Sequence, residues 1–135
     1  MTAVLVDANV LLDIMTEDER WFAWSSEAVE RAADRYRLAI NPLICAEVSI
    51  RYSRIEDLDA ALPKTMFDRE GIPYEATFLA GKAFMIHRRR GGSKRSPPAD
   101  FFIGAHAAVA GYRLLTRDAA RYRTYFPKLS LIAPD

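Results

Sequence analysis

Four carboxylates in this sequence lie within or against apolar segments. Asp7 closes Ala3-Val4-Leu5-Val6, Glu47 sits among Leu43, Ile44, Val48 and Ile50, Asp100 precedes Phe101-Phe102-Ile103, and Asp118 follows Leu114-Leu115. An ionised carboxylate near a core is costly unless a cation neutralises it. No comparable set of lysines and arginines occupies such positions, so the pattern points to a bound divalent cation. Oxygen-only ligands select hard ions, Mg²⁺ or Mn²⁺ in its place. A carboxylate-held ion with positions left for water and substrate suits phosphoryl chemistry. His87 and His106 are isolated, expected at the surface and in the core respectively, and there is no His/Cys cluster with zinc spacing. A glycine-rich phosphate loop, a serine nucleophile elbow and a dinucleotide fingerprint are likewise missing from the sequence.

Each acid also has a plainer explanation. Asp100 and Asp118 can cap helix N-termini, Glu47 can pair with Arg51 one helical turn on, and Asp7 can begin a turn with Asn9. Taken together these need four separate reasons for acids at one edge of the fold.

The elements that must position the acids are legible as short apolar runs alternating with longer helical patterns, the signature of a parallel α/β sheet. Strands are expected at Ala3–Val6, Arg37–Ile40, near Ile72–Tyr74, at Tyr112–Thr116 and at Leu129–Ile132. Helices are expected over Glu19–Ala33, from Asn41-Pro42 (an N-cap and first helical position) to about Tyr52, and over Ile55–Met66 with a stop or bend near Pro63. Further helices are expected over Glu75–Arg90 and Ala99–Ala110, with a short last one beginning near Asp118. Sites in such sheets lie beyond the carboxyl ends of the strands. Asp7 and Asp118 follow strands, and Glu47 and Asp100 lie in the early turns of helices, so all four can reach one cleft.

At 135 residues, 50% hydrophobic and 27% charged, the chain is expected to form one soluble globular domain. Its formal net charge of +1 gives no global case for a polyanionic partner, so any basic surface must be local. The single cysteine, Cys45, suits a small core position and a reducing cytoplasm. No secretory signal or membrane span is expected. The local basic surface is Arg88-Arg89-Arg90-Gly91-Gly92-Ser93-Lys94-Arg95, five cations without an acid. It reads either as a solvated helix end or as a phosphate-gripping loop ahead of Asp100, the reading favoured here. The Trp21/Trp24 pair suits the core or a partner interface better than a base platform.

Val4-Leu5-Val6-Asp7-Ala8-Asn9-Val10-Leu11-Leu12 resembles the opening motif of PIN-domain nucleases. Asn41-Pro42-Leu43-Ile44-Cys45-Ala46-Glu47-Val48 resembles their second, and Pro98-Ala99-Asp100-Phe101-Phe102-Ile103-Gly104-Ala105-His106-Ala107 their third. Leu115-Thr116-Arg117-Asp118, followed by Tyr122 and Phe126, resembles the fourth. Four motifs in order, at this chain length, are similar to VapC-type toxins of bacterial toxin–antitoxin pairs; the stretch from Arg54 to Arg95 matches least. The resemblance implies a single PIN-like domain over 1–135 and a three-layer α/β/α sandwich with a mainly parallel sheet of four to five strands. It implies Mg²⁺- or Mn²⁺-dependent endoribonuclease activity, an RNA substrate, a cognate VapB-type antitoxin and a homodimer.

Carried over by motif, Asp7, Glu47, Asp100 and Asp118 are the catalytic metal-site acids, with Asn9 and Thr116 in support. Asp7 and Asp100 are expected as direct ligands, with Glu47 and Asp118 on a second ion or on waters. Thr116 either fixes a neighbouring carboxylate or caps a helix. Arg88, Arg89, Arg90, Lys94 and Arg95 are expected to grip RNA. The rival readings are a Mg²⁺-dependent phosphatase or phosphotransferase and a non-catalytic RNA-binding module. The first is weakened because Asp7-Ala8-Asn9 lacks the second Asp usual in aspartyl-nucleophile sites.

Overall fold

The computed structural model describes residues 2–92 and 98–135. Strand β1, Ala3–Val6, is buried along its whole length, as an apolar run without alternation requires when helices cover both faces. It is the middle of a five-stranded, wholly parallel sheet in the order β3-β2-β1-β4-β5, with β2 at Arg37–Ile40, β3 at Phe67–Arg69, β4 at Arg113–Leu115 and β5 at Leu131–Ile132. Its register pairs Leu5 with Ala39 on one side and with Leu114 on the other. The chain steps outward from β1 to β2 and β3, then returns across the sheet to β4 and β5. With right-handed crossovers, these two directions of travel lay helices on opposite faces and give three layers.

The connections carry α1 (Ala8–Met15), α2 (Phe22–Arg35), α3 (Pro42–Ser49), α4 (Ile55–Ala61), α5 (Tyr74–Arg89), α6 (Ala99–Ala110) and α7 (Ala120–Tyr125). Asn41 caps α3 as its sequence announces: its Oδ1 accepts the Ile44 N–H at 3.0 Å, with Pro42 at the first position. Gly111 ends α6 in the left-handed conformation, φ 72°, where a Cβ would be strained.

Three expectations need correction. A helix not expected before Glu19, α1, follows β1 directly, because Val10-Leu11-Leu12 continues the apolar run with helical spacing and packs inward; it takes the place of the alternative turn from Asp7 to Asn9. The third strand is Phe67–Arg69, not Ile72–Tyr74, since Pro73 lacks an N–H and serves instead as the N-cap of α5. Only the side chain of Phe67 is buried in β3, which is why this edge strand leaves no apolar run in the sequence. His87 is half-buried and packed rather than free at the surface. Its ring lies 5.5 Å from Phe101 and 5.7 Å from Tyr125, and Nδ1 hydrogen-bonds the Tyr125 hydroxyl at 3.1 Å.

His106 is in the core as expected, 1% exposed. Asn41 Oδ1 is committed to Ile44, so its Nδ2, 3.1 Å from His106 Nδ1, donates there. The imidazole proton therefore sits on Nε2, 3.9 Å from Glu70. Burial pushes the His106 pKa down despite Glu70. The ring thus fastens the start of α3 to the middle of α6, two helices that carry site acids. Trp21, at the N-cap of α2, and Trp24 within it are half-buried and packed edge to face at 6.3 Å. Cys45 is half-buried against the core. Among the described residues no helix is long and apolar enough to cross a membrane.

Candidate active site

Because neighbours of β1 are reached by connections leaving in opposite directions, a crevice opens at its carboxyl end. Asp7 is the first residue beyond that end, its N–H held by Leu115 O of β4 at 2.9 Å. A cleft of about 330 Å³ lies here, lined by Asp7, Glu47, Asp100 and Asp118 together with Asn9, Arg121 and Tyr122. The four acids of the sequence analysis thus share one cavity wall. Asp7 comes from β1, Glu47 from α3, Asp100 from the first turn of α6, and Asp118 from the β4–α7 loop.

Asp7 is 6% exposed and heavily bonded. Its Oδ1 accepts the Ala8 N–H at 2.8 Å, capping α1. Its Oδ2 accepts two hydroxyls, Thr116 Oγ1 at 2.9 Å and Tyr122 OH at 2.9 Å. Burial nevertheless raises its pKa above the ordinary aspartate value; the three hydrogen bonds oppose that and Asp100 adds to it. Glu47, half-buried, is raised by the same desolvation and by the nearby charges of Asp7 and Asp100. The Tyr122 phenol is pushed far up, first by burial and then by Asp7, so it stays a donor.

The plainer explanations of the acids fare unevenly. Pro98 and Ala119, not Asp100 and Asp118, stand at the N-caps of α6 and α7. Glu47 makes no ion pair with Arg51 among the described residues. Thr116 caps no helix; besides its bond to Asp7 it accepts the Asp118 N–H at 3.1 Å and an Asn9 amide N–H at 3.3 Å. Asn9 Oδ1 in turn accepts the Arg117 N–H at 3.1 Å. Asn9 and Thr116 therefore stitch the β4–α7 loop to the start of α1.

Two features were not read from the sequence. Arg121 Nη1 donates to Asp100 Oδ2 at 2.9 Å, placing a cation among the acids. Arg117 makes a two-pronged pair with Asp13, at 2.8 and 3.1 Å, and Ser25 donates to the same carboxylate at 2.8 Å. Asp13 is a fifth acid in an apolar run, Leu11-Leu12-Asp13-Ile14, and the criterion that picked the other four applies to it as well. It is 3% exposed but anchors the loop from behind and does not line the cleft. Gly104 supplies a further precondition: a Cβ there would come within 2.6 Å of the Phe126 ring and 3.0 Å of Tyr122. Only a glycine lets α7 lie close enough on α6 to seat Tyr122 against Asp7.

The donor set fits a hard cation. Every candidate ligand is an oxygen, and Asp100 Oδ1 is buried without a hydrogen-bond partner among the described residues. Asp7, with three bonds on a carboxylate that has about four acceptor sites, retains capacity for one more. Among the described residues no three acidic, histidine or cysteine groups yet stand close enough to cage an ion.

Of the basic run, Arg88, Arg89 and Arg90 are exposed at the end of α5, with Arg88 over the Phe84 ring and Arg90 over that of Tyr125. Lys94 and Arg95 lie outside the described residues. The chain re-enters at Pro98 and Ala99 in the cleft wall itself.

A family model described as PIN domain matches residues 4–127. The fold is similar to that of VapBC2 from Rickettsia felis bound to a DNA fragment from its promoter, with a TM-score of 0.74 at 16% identity over 99% of this chain and 100% of that one. VapBC-1 from nontypeable Haemophilus influenzae matches with a TM-score of 0.72 at 17% identity, over 98% of each chain. A toxin–antitoxin complex from Klebsiella pneumoniae matches at 0.67 and 18%, again over 98% of each. No curated sequence matches the chain significantly.

Proposed function

The chain belongs to the PIN-domain family, and from that premise we propose that it is a metal-dependent endoribonuclease, the toxin of a VapBC-like pair. The observation that carries this reading is the convergence of Asp7, Glu47, Asp100 and Asp118 on one cleft at the end of the central strand. PIN domains as a class are nucleases, and the solved structures of like fold are toxin–antitoxin complexes. On this reading 1–135 is a single nuclease domain acting in the cytoplasm, with a VapB-type antitoxin and a second copy of itself as partners.

When bound, Mg²⁺ or Mn²⁺ supplies Lewis acidity, acidifying a water and countering charge on the phosphodiester. Asp7 and Asp100 are the residues that would hold it directly, with Glu47 and Asp118 holding a second ion or ordering waters. Thr116 and Tyr122 fix the Asp7 carboxylate by donating to its Oδ2, and Asn9 holds Thr116. Arg88, Arg89 and Arg90, with Lys94 and Arg95, would grip the RNA backbone on its way to the cleft.

The test is incubation of the purified chain with total RNA in Mg²⁺, Mn²⁺ or EDTA, followed by mapping of the cut ends. Discrete ends dependent on the metal are expected. RNA left intact with either ion, or cut equally in EDTA, refutes the proposal.

A further inference from the structure

Arg121 is the only cationic side chain lining the acidic cleft among the described residues. It sits on α7 beside Tyr122, so adjacent residues of one short helix reach two different acids, Asp100 and Asp7. Its bond to Asp100 is single: Nη1 engages Oδ2, while Oδ1 of the same carboxylate stays buried and unpartnered among the described residues. A guanidinium has five N–H donors, and a settled structural pair with a carboxylate normally uses two of them in a fork. The Arg117–Asp13 pair of this molecule does so, with both carboxylate oxygens engaged. Both arginines are about one-third exposed and both stack on an aromatic ring, Arg117 on Trp21 at 5.4 Å and Arg121 on Phe101 at 5.6 Å. Arg121 differs in its single bond and in its partner, a cleft acid that is 31% exposed where Asp13 is 3% exposed. Stacking on Phe101 lets the head group swing without losing its apolar support.

We infer that Arg121 is a positioning residue with two partners: it rests on Asp100 in the metal-free chain, and it contacts the RNA phosphate at the cleft once a cation claims Asp100. This rests on the nuclease reading and deepens it. A polyanion entering a cleft of four carboxylates meets repulsion that a single divalent ion only partly offsets. A planar, permanently charged fork is suited to the phosphate oxygens. On the same account Arg121 and the metal compete for Asp100. Removing the arginine should therefore tighten metal binding while weakening substrate binding. A purely structural pair gives the opposite sign for the metal, because an Asp100 no longer held in place would be a poorer ligand.

The experiment compares wild type, Arg121→Ala and Arg121→Lys, each checked for folding by circular dichroism. Mg²⁺ affinity is measured by calorimetry without RNA. Binding of a single-stranded RNA oligonucleotide is measured across a salt series in Ca²⁺, and cleavage in Mg²⁺. Arg121→Ala should bind Mg²⁺ several-fold more tightly, lower the log–log salt slope of RNA binding by about 0.7, and cleave more slowly. Arg121→Lys should restore the slope but not the full cleavage rate, since it keeps the charge and loses the fork. Mg²⁺ affinity equal to or weaker than wild type in Arg121→Ala overturns the competition, and an unchanged slope overturns the phosphate contact. A wild type that binds neither Mg²⁺ nor RNA refutes the nuclease reading and this inference with it. That outcome is distinct from a wild type that binds both and is matched by its variants, which refutes the role of Arg121 alone.

Discussion

Asp7→Asn separates the chemistry of the cleft from its architecture, and the two halves of the outcome follow from the hydrogen bonds. The amide keeps one acceptor oxygen. Turned one way it retains the Ala8 N–H, and asparagine caps a helix as well as aspartate does. Turned the other way it retains the Thr116 and Tyr122 hydroxyls. The cost is about one neutral hydrogen bond, roughly 1 kcal/mol. Against it stands the relief of a buried charge whose pKa is raised by desolvation and by Asp100. In EDTA the two nearly cancel, so thermal melting should shift by no more than about 4 °C, which is roughly 1 kcal/mol at this chain length. Asp7→Ala is the contrast: three buried donors lose their acceptor at about 1 kcal/mol or more each, for a loss of at least ~3 kcal/mol. Cleavage by Asp7→Asn should nevertheless fall by at least about 100-fold. Outer-shell partners of metal ligands already cost roughly 10–100-fold when removed, and a direct ligand should cost more. The assays are melting in EDTA and in Mg²⁺, and initial rates on RNA. More than a tenth of wild-type cleavage in Asp7→Asn, or a loss beyond about 2 kcal/mol in EDTA, refutes the assignment of Asp7 as a metal ligand.

Three further outcomes are expected. Asp100→Ser should keep α6, whose N-cap is Pro98, yet lose RNA cleavage by orders of magnitude, because serine offers no anionic oxygen to a hard cation; near-normal cleavage would remove Asp100 from the site. Replacing Arg88, Arg89, Arg90, Lys94 and Arg95 with glutamine should weaken RNA binding and flatten its salt dependence by about 0.7 for each phosphate no longer neutralised; an unchanged slope would make the run ordinary solvated surface. His106 is held neutral, its folded pKa below the ordinary 6.5, so the unfolded chain binds more protons than the folded one as pH falls through 6.5. Stability should therefore be complete above about pH 6.5 and decline below it until the folded pKa is passed; melting of His106→Gln should lack that component between pH 7 and 5, and a parallel decline in both proteins would refute it.

Most features that depend on neighbours in the chain are legible in the sequence, helix α1 and the fifth apolar-run acid, Asp13, being the local exceptions. Ala3–Val6 has no polar residue to face water, and Asn41-Pro42 carries both its cap and its fixed φ. The acids Asp7, Glu47, Asp100 and Asp118 stand out because each interrupts or borders an apolar run within a few residues. Their gathering in one cleft followed from strand-then-helix order, since parallel strands bring all their carboxyl ends to one edge. The short edge strand Phe67–Arg69 was decided by pairing: Leu38 lies opposite Phe67 and Ile40 opposite Arg69, a fact no local pattern contains. The bonds that finish the site are long-range in the same way. Tyr122 reaches Asp7 across 115 positions, Arg117 reaches Asp13 across 104, and Arg121 meets Asp100 from a different helix. Polar contacts of that kind are selected by which surfaces the sheet order and the glycine at position 104 bring face to face. Only the folded chain holds Tyr122 and Thr116 on one oxygen of Asp7, because only there have α6, α7 and the central strand converged.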